Sequence, residues 1–276
     1  MSAYDDALRA VLAWPVPSAA AAVVGVDGVL AAVGPCGQQF ALASVTKPLA
    51  ALATLVAVEE GAVELTDAAD EALIPGATLR HLLAHASGLA PERAMKSFDP
   101  GVRRVYSNVG IELVGSLVEA AVDLPFAAYL DEALVRPLGL RATSLPGSPA
   151  RDGVSSVDDL ARVMQEILAP QGFLHPTTLA EATSVQYPGL RGVLPGYGGQ
   201  DPNDWGLGFE IRARKSPHWT GPANSPATFG HFGQSGTMFW IDPVARLGLV
   251  ALADRDFGPW AAAAWPAVSD AVLAAR

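Results

Sequence analysis

Residues 20–34 read AAAVVGVDGVLAAVG, two short apolar runs that meet at Asp27-Gly28. An Asp-Gly pair readily adopts the positive φ values of a tight two-residue hairpin, so the runs are expected to fold back on each other as antiparallel strands. A second pair of apolar segments lies near the other end of the chain: TMFWID (237–242) and LGLVALAD (247–254). A further strand is predicted at GLGFEI (206–211), inside a Gly-, Pro- and Trp-rich stretch (186–228) that otherwise reads as long loops.

The pattern between these strands is helical. From Ser44 onward Leu49, Leu52, Leu55 and Val56 follow a 3.6-residue period, with Pro48 in the first turn and Gly61 as a stop. Residues 62–150 are expected to be mostly helical, with helices over 78–89 (ended at Gly88), 109–122 and 125–135. Ser155 and Ser156 each precede an Asp by three residues and announce another helix. A short N-terminal helix is predicted over 3–13. Another is predicted over 258–275, started late or kinked by Pro266. Together these give an α+β fold: an antiparallel sheet flanked by terminal helices (residues 1–60 and 150–276), with an inserted, mostly helical lobe (61–149). The cleft between the two is the expected place for a small-molecule site.

The chain has 276 residues, half of them hydrophobic and 17% charged, enough to bury a full core. Eighteen basic against 28 acidic residues give a net charge of −10. With no Lys/Arg cluster to offset it, that balance argues against nucleic acid as a partner. The single cysteine, Cys36, rules out an internal disulfide and any multi-cysteine metal site, and reads as an apolar filler. The N-terminal residues lack a basic start and an unbroken apolar run, and no ~18-residue apolar stretch is present, so the expectation is a cytoplasmic protein without a membrane span.

Three short segments carry possible chemistry. Ser44-Val45-Thr46-Lys47 places a hydroxyl and an amine one helical turn apart. Serine needs a neighbouring base or cation to act as a nucleophile, and a helix N-terminus favours a developing oxyanion. In Tyr106-Ser107-Asn108 the first and third side chains point to one side of an extended segment. A tyrosine able to carry a proton and an asparagine able to hydrogen-bond thus share a face, although, for the triplet alone, Asn108 as a helix cap with Tyr106 as packing is the favoured explanation. Gly230-His231-Phe232-Gly233 lies on or beside a C-terminal strand, where glycine marks close approach of a ligand or another backbone. His231 there either meets a substrate or is a satisfied histidine at a tight strand edge.

SVTK, YSN and HFG, in that order, resemble the serine β-lactamase-related superfamily, in the branch of class C β-lactamases, family VIII esterases and D-aminopeptidases. LRHLLAHASGL (79–89), VRPLGLRATS (135–144), GVSSVDDLARV (153–163), WGLGFEI (205–211) and GHFGQSGTMFWIDP (230–243) are similar to further segments of that branch. The likeness runs from about residue 20 to about residue 254. No Glu has an Asn four residues later, the pattern of the class A deacylating residue, which supports the tyrosine-based branch.

The resemblance implies a β-lactamase/transpeptidase-like fold and an acyl-enzyme on Ser44, with Lys47 and Tyr106 sharing the proton work. It leaves open which of the two is the base. A nearby ammonium would favour phenolate at Tyr106. The resemblance also implies an oxyanion hole from the backbone N–H groups of Ser44 and Gln234, beside Gly233, with Asn108 and His231 meeting Lys47 or the substrate. It requires no metal and no cofactor, and the His81/His85 pair reads as structural. His231 stands where the branch usually has a lysine, so a carboxylate anchor is weaker and a small ester is favoured as substrate. A β-lactam or a D-amino-acid peptide is the alternative, and a non-catalytic binding protein on the same fold is a third reading.

Overall fold

The computed structural model of the protein describes residues 2–276. In chain order the strands are β1 (Ala19–Gly25), β2 (Gly28–Val33), β3 (Phe40–Ala41), β4 (Val154–Ser155), β5 (Gly192–Leu194), β6 (Gly198–Gln200), β7 (Glu210–Ile211), β8 (Phe229–Gly233), β9 (Thr237–Asp242) and β10 (Leu247–Ala253). The helices are α1 (Ala3–Leu8), α2 (Thr46–Glu59), α3 (Leu79–Leu83), α4 (Asn108–Val122), α5 (Phe126–Leu130), α6 (Val157–Leu168), α7 (Pro176–Ala182) and α8 (Pro259–Ala274).

Six strands form one antiparallel sheet in the order β2-β1-β10-β9-β8-β7. The expected hairpin forms, but its two loop residues are Val26 and Asp27 rather than Asp27 and Gly28: Gly28, at φ +129°, already lies in β2 opposite Gly25. Strand β1 then pairs along its whole length with β10, Ala19 opposite Ala253 and Gly25 opposite Leu247. The first and last long strands are thus neighbours, and the helical residues between them must leave the sheet and return.

Both faces of β1 and β10 are buried, which is why these strands read as continuous apolar runs rather than as alternating ones. Ala20, Ala22, Val24, Val250 and Leu252 face a core shared with α2, α4 and α6. Their neighbours Ala21, Val23, Leu249 and Ala251 face a second core closed by α1 and α8, with Trp265 at its centre. The α+β class with terminal helices on the sheet is therefore observed. Helix α8 runs from Pro259 with Pro266 inside it, so it does not start late.

The segment 61–149 is less helical than its pattern predicts. α3 covers only Leu79–Leu83 because the chain turns at His85 (φ +54°), and residues 84–107 are turns and loop. GLGFEI contributes only Glu210–Ile211 to the sheet, since Gly208 at φ +80° sits against the Ala51 side chain of α2. α7, with Pro176 in its first turn, had no sequence reading of its own.

Candidate active site

The SVTK segment forms a 3-10 turn (Ala43–Val45) that runs into α2. Ala43 holds φ +45°, a costly conformation for a residue with a Cβ, and neighbouring hydroxyls fix it. Thr237 Oγ donates to the Leu42 carbonyl at 2.8 Å and Ser235 Oγ to the Ala41 carbonyl at 2.6 Å. Thr46 Oγ donates to the Ala43 carbonyl at 2.6 Å and accepts from Gly153 N at 2.9 Å. The turn thereby lies across the end of β8. A Cβ on Gly233 would stand 2.2 Å from the Leu42 carbonyl oxygen. Gly233 is therefore required for this backbone contact, the close approach of another backbone that its motif allows.

Lys47 is fully buried one turn after Ser44. Its Nζ lies 3.2 Å from Ser44 Oγ, 2.6 Å from Asn108 Oδ1 and 2.8 Å from the Ala150 carbonyl. Ala150 reaches it because the segment after α5 is tied down: the Asp159 carboxylate accepts from Arg141 N, Ala142 N and Thr143 Oγ. Burial, assisted by the Arg151 charge and opposed by Glu92 and Glu112, lowers the Lys47 ammonium to about 7.

Tyr106 donates its phenolic hydrogen to Ser44 Oγ at 2.7 Å. Burial pushes this phenol well above its ordinary range, only partly offset by the hydrogen bond to Ser44. The expectation that a neighbouring ammonium would favour phenolate is therefore corrected. Lys47 Nζ sits 4.6 Å from the ring centroid of Tyr106, and its own charge is already weakened by burial.

The cap of α4 is Ser107, whose Oγ accepts from Gly110 N at 3.0 Å and donates to the Ala90 carbonyl at 2.8 Å. Asn108, one residue later, is thus released from capping. Its Oδ1 faces Lys47 and its Nδ2 donates to the Glu92 carboxylate, which pairs with Arg151 at 2.9 Å. The buried imidazole of His85 accepts from Ser107 N at 3.2 Å and packs against both Tyr106 and Trp205, with ring centroids 4.7 Å apart in each case. His81, four residues earlier, instead stacks on Tyr187, because α3 ends between the two histidines. Among the described residues no group of three or more His, Cys, Asp or Glu is placed to hold a metal ion.

Ser44 opens into a cavity of about 170 Å³ whose apolar walls are Leu194, Pro195, Trp205 and Phe232. Tyr106, Glu210, His231 and Gln234 also line it. Ser44, Lys47, Tyr106 and Asn108 therefore converge, and His231 and Gln234 line the same cavity as Ser44. A larger open depression of about 630 Å³ beside Ala213 and Phe229 contains none of these residues.

Two buried arrangements near the site gave no usable signal in the sequence. Glu210 accepts from Lys215, from His218 Nε2 at 3.0 Å on each oxygen, and from Trp219 Nε1 at 2.6 Å. Burial raises this carboxyl, but His218 and Lys215 outweigh it and hold Glu210 far below the usual carboxylate range. Arg104, buried beneath the 84–107 loop, donates to the carbonyls of Ala84, Gln186, Tyr187 and Asn203. It fixes that loop against residues 186–203. Spacing such as E-x4-K does not distinguish a buried cluster from a solvated face.

Comparisons with known proteins identify the family and the fold. The sequence model of the Beta-lactamase family matches residues 9–273. The structure of a β-lactamase from Mycobacterium bovis superimposes with a TM-score of 0.94 at 54% identity, covering 97% of this chain and 98% of that one. EstCE1, a hydrolase with promiscuous acyltransferase activity, shares the fold at a TM-score of 0.80 and 18% identity, covering 98% of this chain and 97% of its own. A curated relative from Salmonella schwarzengrund, named "Putative D-alanyl-D-alanine carboxypeptidase", is 26% identical over 216 residues, 59% of this chain and 48% of that protein. The chain thus spans about half the length of the curated relatives it matches. A match over nearly the whole chain makes this protein a member of the Beta-lactamase family.

Proposed function

We propose that the protein hydrolyses small carboxylic esters through an acyl-enzyme on Ser44. One observation carries the reading: Ser44 Oγ is held between Tyr106 Oη and Lys47 Nζ at the mouth of a cavity lined by no lysine or arginine. β-Lactams and peptide C-termini present a carboxylate that calls for a cation. An uncharged ester needs none.

The proton path follows from the contacts. Asn108 Oδ1 and the Ala150 carbonyl oxygen only accept, so they take the two N–H bonds of a neutral Lys47 amine and leave its lone pair facing Ser44. Lys47 removes the Ser44 proton as Oγ attacks the ester carbonyl. Tyr106, which stays a phenol, gives its hydrogen to the departing alkoxide and regains one by way of Lys47. The carbonyl oxygen, now an oxyanion, lies against the backbone N–H groups of Ser44 and Gln234. Water then attacks the acyl group by the same path in reverse and restores the serine.

A β-lactamase is the second reading, supported by the name of the Mycobacterium bovis relative at 54% identity. Parallel assays with p-nitrophenyl acetate and butyrate, nitrocefin and D-Ala-p-nitroanilide separate the two. The ester reading predicts ester turnover well above that of the other probes, lost in Ser44→Ala. Nitrocefin turnover exceeding ester turnover would transfer the protein to the second reading.

A further inference from the structure

The lining of the Ser44 cavity contains a hydrogen-bond acceptor without a partner among the described residues. The His231 side chain is buried, 3% exposed, and its Nδ1 lies 2.7 Å from the Phe232 carbonyl oxygen. A carbonyl oxygen only accepts, so Nδ1 carries the ring hydrogen and Nε2 presents a lone pair. Nε2 is buried without a protein partner. Such an atom is an unfavourable feature unless something supplies a donor, and it belongs to a residue lining the cavity. Tyr106 and Trp205 pack around the ring, with centroids 5.9 and 5.5 Å away, and hold it in place.

The surrounding charge has the same preference. Among the described residues, Glu210 is the only formally charged one in the cavity lining. Its carboxylate is buried, compensated by the Lys215 ammonium and also bound by His218 and Trp219, so it offers no free contact. Burial and the proximity of Lys47 both keep the His231 ring neutral, lowering it to about 3. The wall thus accepts hydrogen bonds and, among the described residues, offers an anion no free cation. Its size is also limiting: a cavity of about 170 Å³ is close to the ~150 Å³ that encloses a benzene-sized molecule.

We infer that the substrate group seated in this cavity is small, of benzene size or less, and carries a hydroxyl, amine or amide hydrogen that it donates to His231 Nε2, whereas a carboxylate is rejected. This assignment rests on the ester reading and narrows it to short esters bearing a hydrogen-bond donor near the scissile carbonyl. It reverses the role expected of a cationic residue at this position, because a neutral imidazole in this tautomer cannot anchor an anion.

The test compares near-isosteric ethyl esters by pH-stat: butyrate, 3-hydroxybutyrate, 3-aminobutyrate and the monoester of succinate. A matching alcohol-side set, propyl acetate against 2-hydroxyethyl acetate, covers the other half of the substrate. The inference predicts that in at least one set the donor-bearing ester has kcat/KM about tenfold above the plain ester, with the succinate monoester below both. In His231→Leu, checked for folding by thermal melting, the ratio of donor-bearing to plain ester should fall to about one. His231→Gln, which keeps an acceptor, should retain part of the preference. A folded His231→Leu protein with the wild-type ratio, or a wild-type preference for the succinate monoester, would overturn the inference.

A second measurement does not depend on turnover. In Ser44→Ala protein labelled with ¹⁵N-histidine, the His231 Nε2 resonance should shift on adding the donor-bearing esters and stay fixed with the plain ones. If no ester is hydrolysed by the wild-type protein, the ester reading fails. The Nε2 response still decides whether His231 takes a donor: a shift upholds that role and a fixed resonance ends it.

Discussion

Lys47 Nζ stands 3.2 Å from Ser44 Oγ, and its two other partners are oxygens that can only accept. The amine can turn its lone pair on the serine only after losing a proton. Its ammonium is lowered by burial to about 7, so the active form grows as pH rises through that value. The kcat/KM of an ester should therefore climb through about pH 7 and level off above it. Lys47→Arg, which stays charged, should lose about 10³-fold or more in kcat and with it this rising limb. A pH–rate profile of the two proteins checks both points.

Tyr106 is raised, not lowered, so it serves as a hydrogen donor through the whole neutral range. Tyr106→Phe leaves the ring packing against His85 and Trp205 intact and removes only the hydroxyl. Steady-state kinetics should show kcat reduced by about 10²- to 10⁴-fold, with a much smaller change in KM.

Glu92 and Arg151 tune Lys47 from outside the cavity. The Glu92 charge raises the Lys47 ammonium and the Arg151 charge lowers it. Glu92→Gln should move the rising limb of the pH profile to lower pH, and Arg151→Gln should move it to higher pH. Both groups are partly exposed, so added salt should shrink both displacements. Shifts in the same direction would contradict this account of the lysine.

Much of this arrangement was legible in the sequence. The β1–β2 hairpin, the helix opening at Ser44 and the strands at 237–242 and 247–254 follow from local periodicity and turn chemistry, and local forces also determine them in the structure. Tyr106 and Asn108 could be read as a pair, but only coordinates show that Ser107, not Asn108, caps α4. The stretches that misread depend on long-range contacts. The 84–107 segment keeps its irregular path because Arg104 donates to the Ala84 carbonyl within it and to three carbonyls of the distant residues Gln186, Tyr187 and Asn203. The Gly233 motif allows a ligand or another backbone nearby, and the structure places the Leu42 backbone there. No spacing rule relates Glu210 to Lys215, His218 and Trp219, because a loop folds back on itself to bring them together.

That buried cluster makes a prediction about stability. Removing Glu210 leaves the Lys215 ammonium buried without its counter-charge. Glu210→Gln should cost about 3–5 kcal/mol in denaturant melts, and Glu210→Leu combined with Lys215→Met should recover most of it. Because the folded carboxyl lies below its ordinary range, its contribution is complete above an unfolded-state value of about 4.3 and declines as pH falls below that. Wild type should lose stability on acidification through this range more steeply than the double variant.

The most direct measurement is the intact mass of the protein, acid-quenched within a few turnovers of mixing with excess p-nitrophenyl acetate. The proposed mechanism predicts one added acetyl group, mapped by peptide fragmentation to Ser44 and absent from Ser44→Ala. Turnover with no adduct at any quench time, or an acetyl group on another residue that persists in Ser44→Ala, would contradict it.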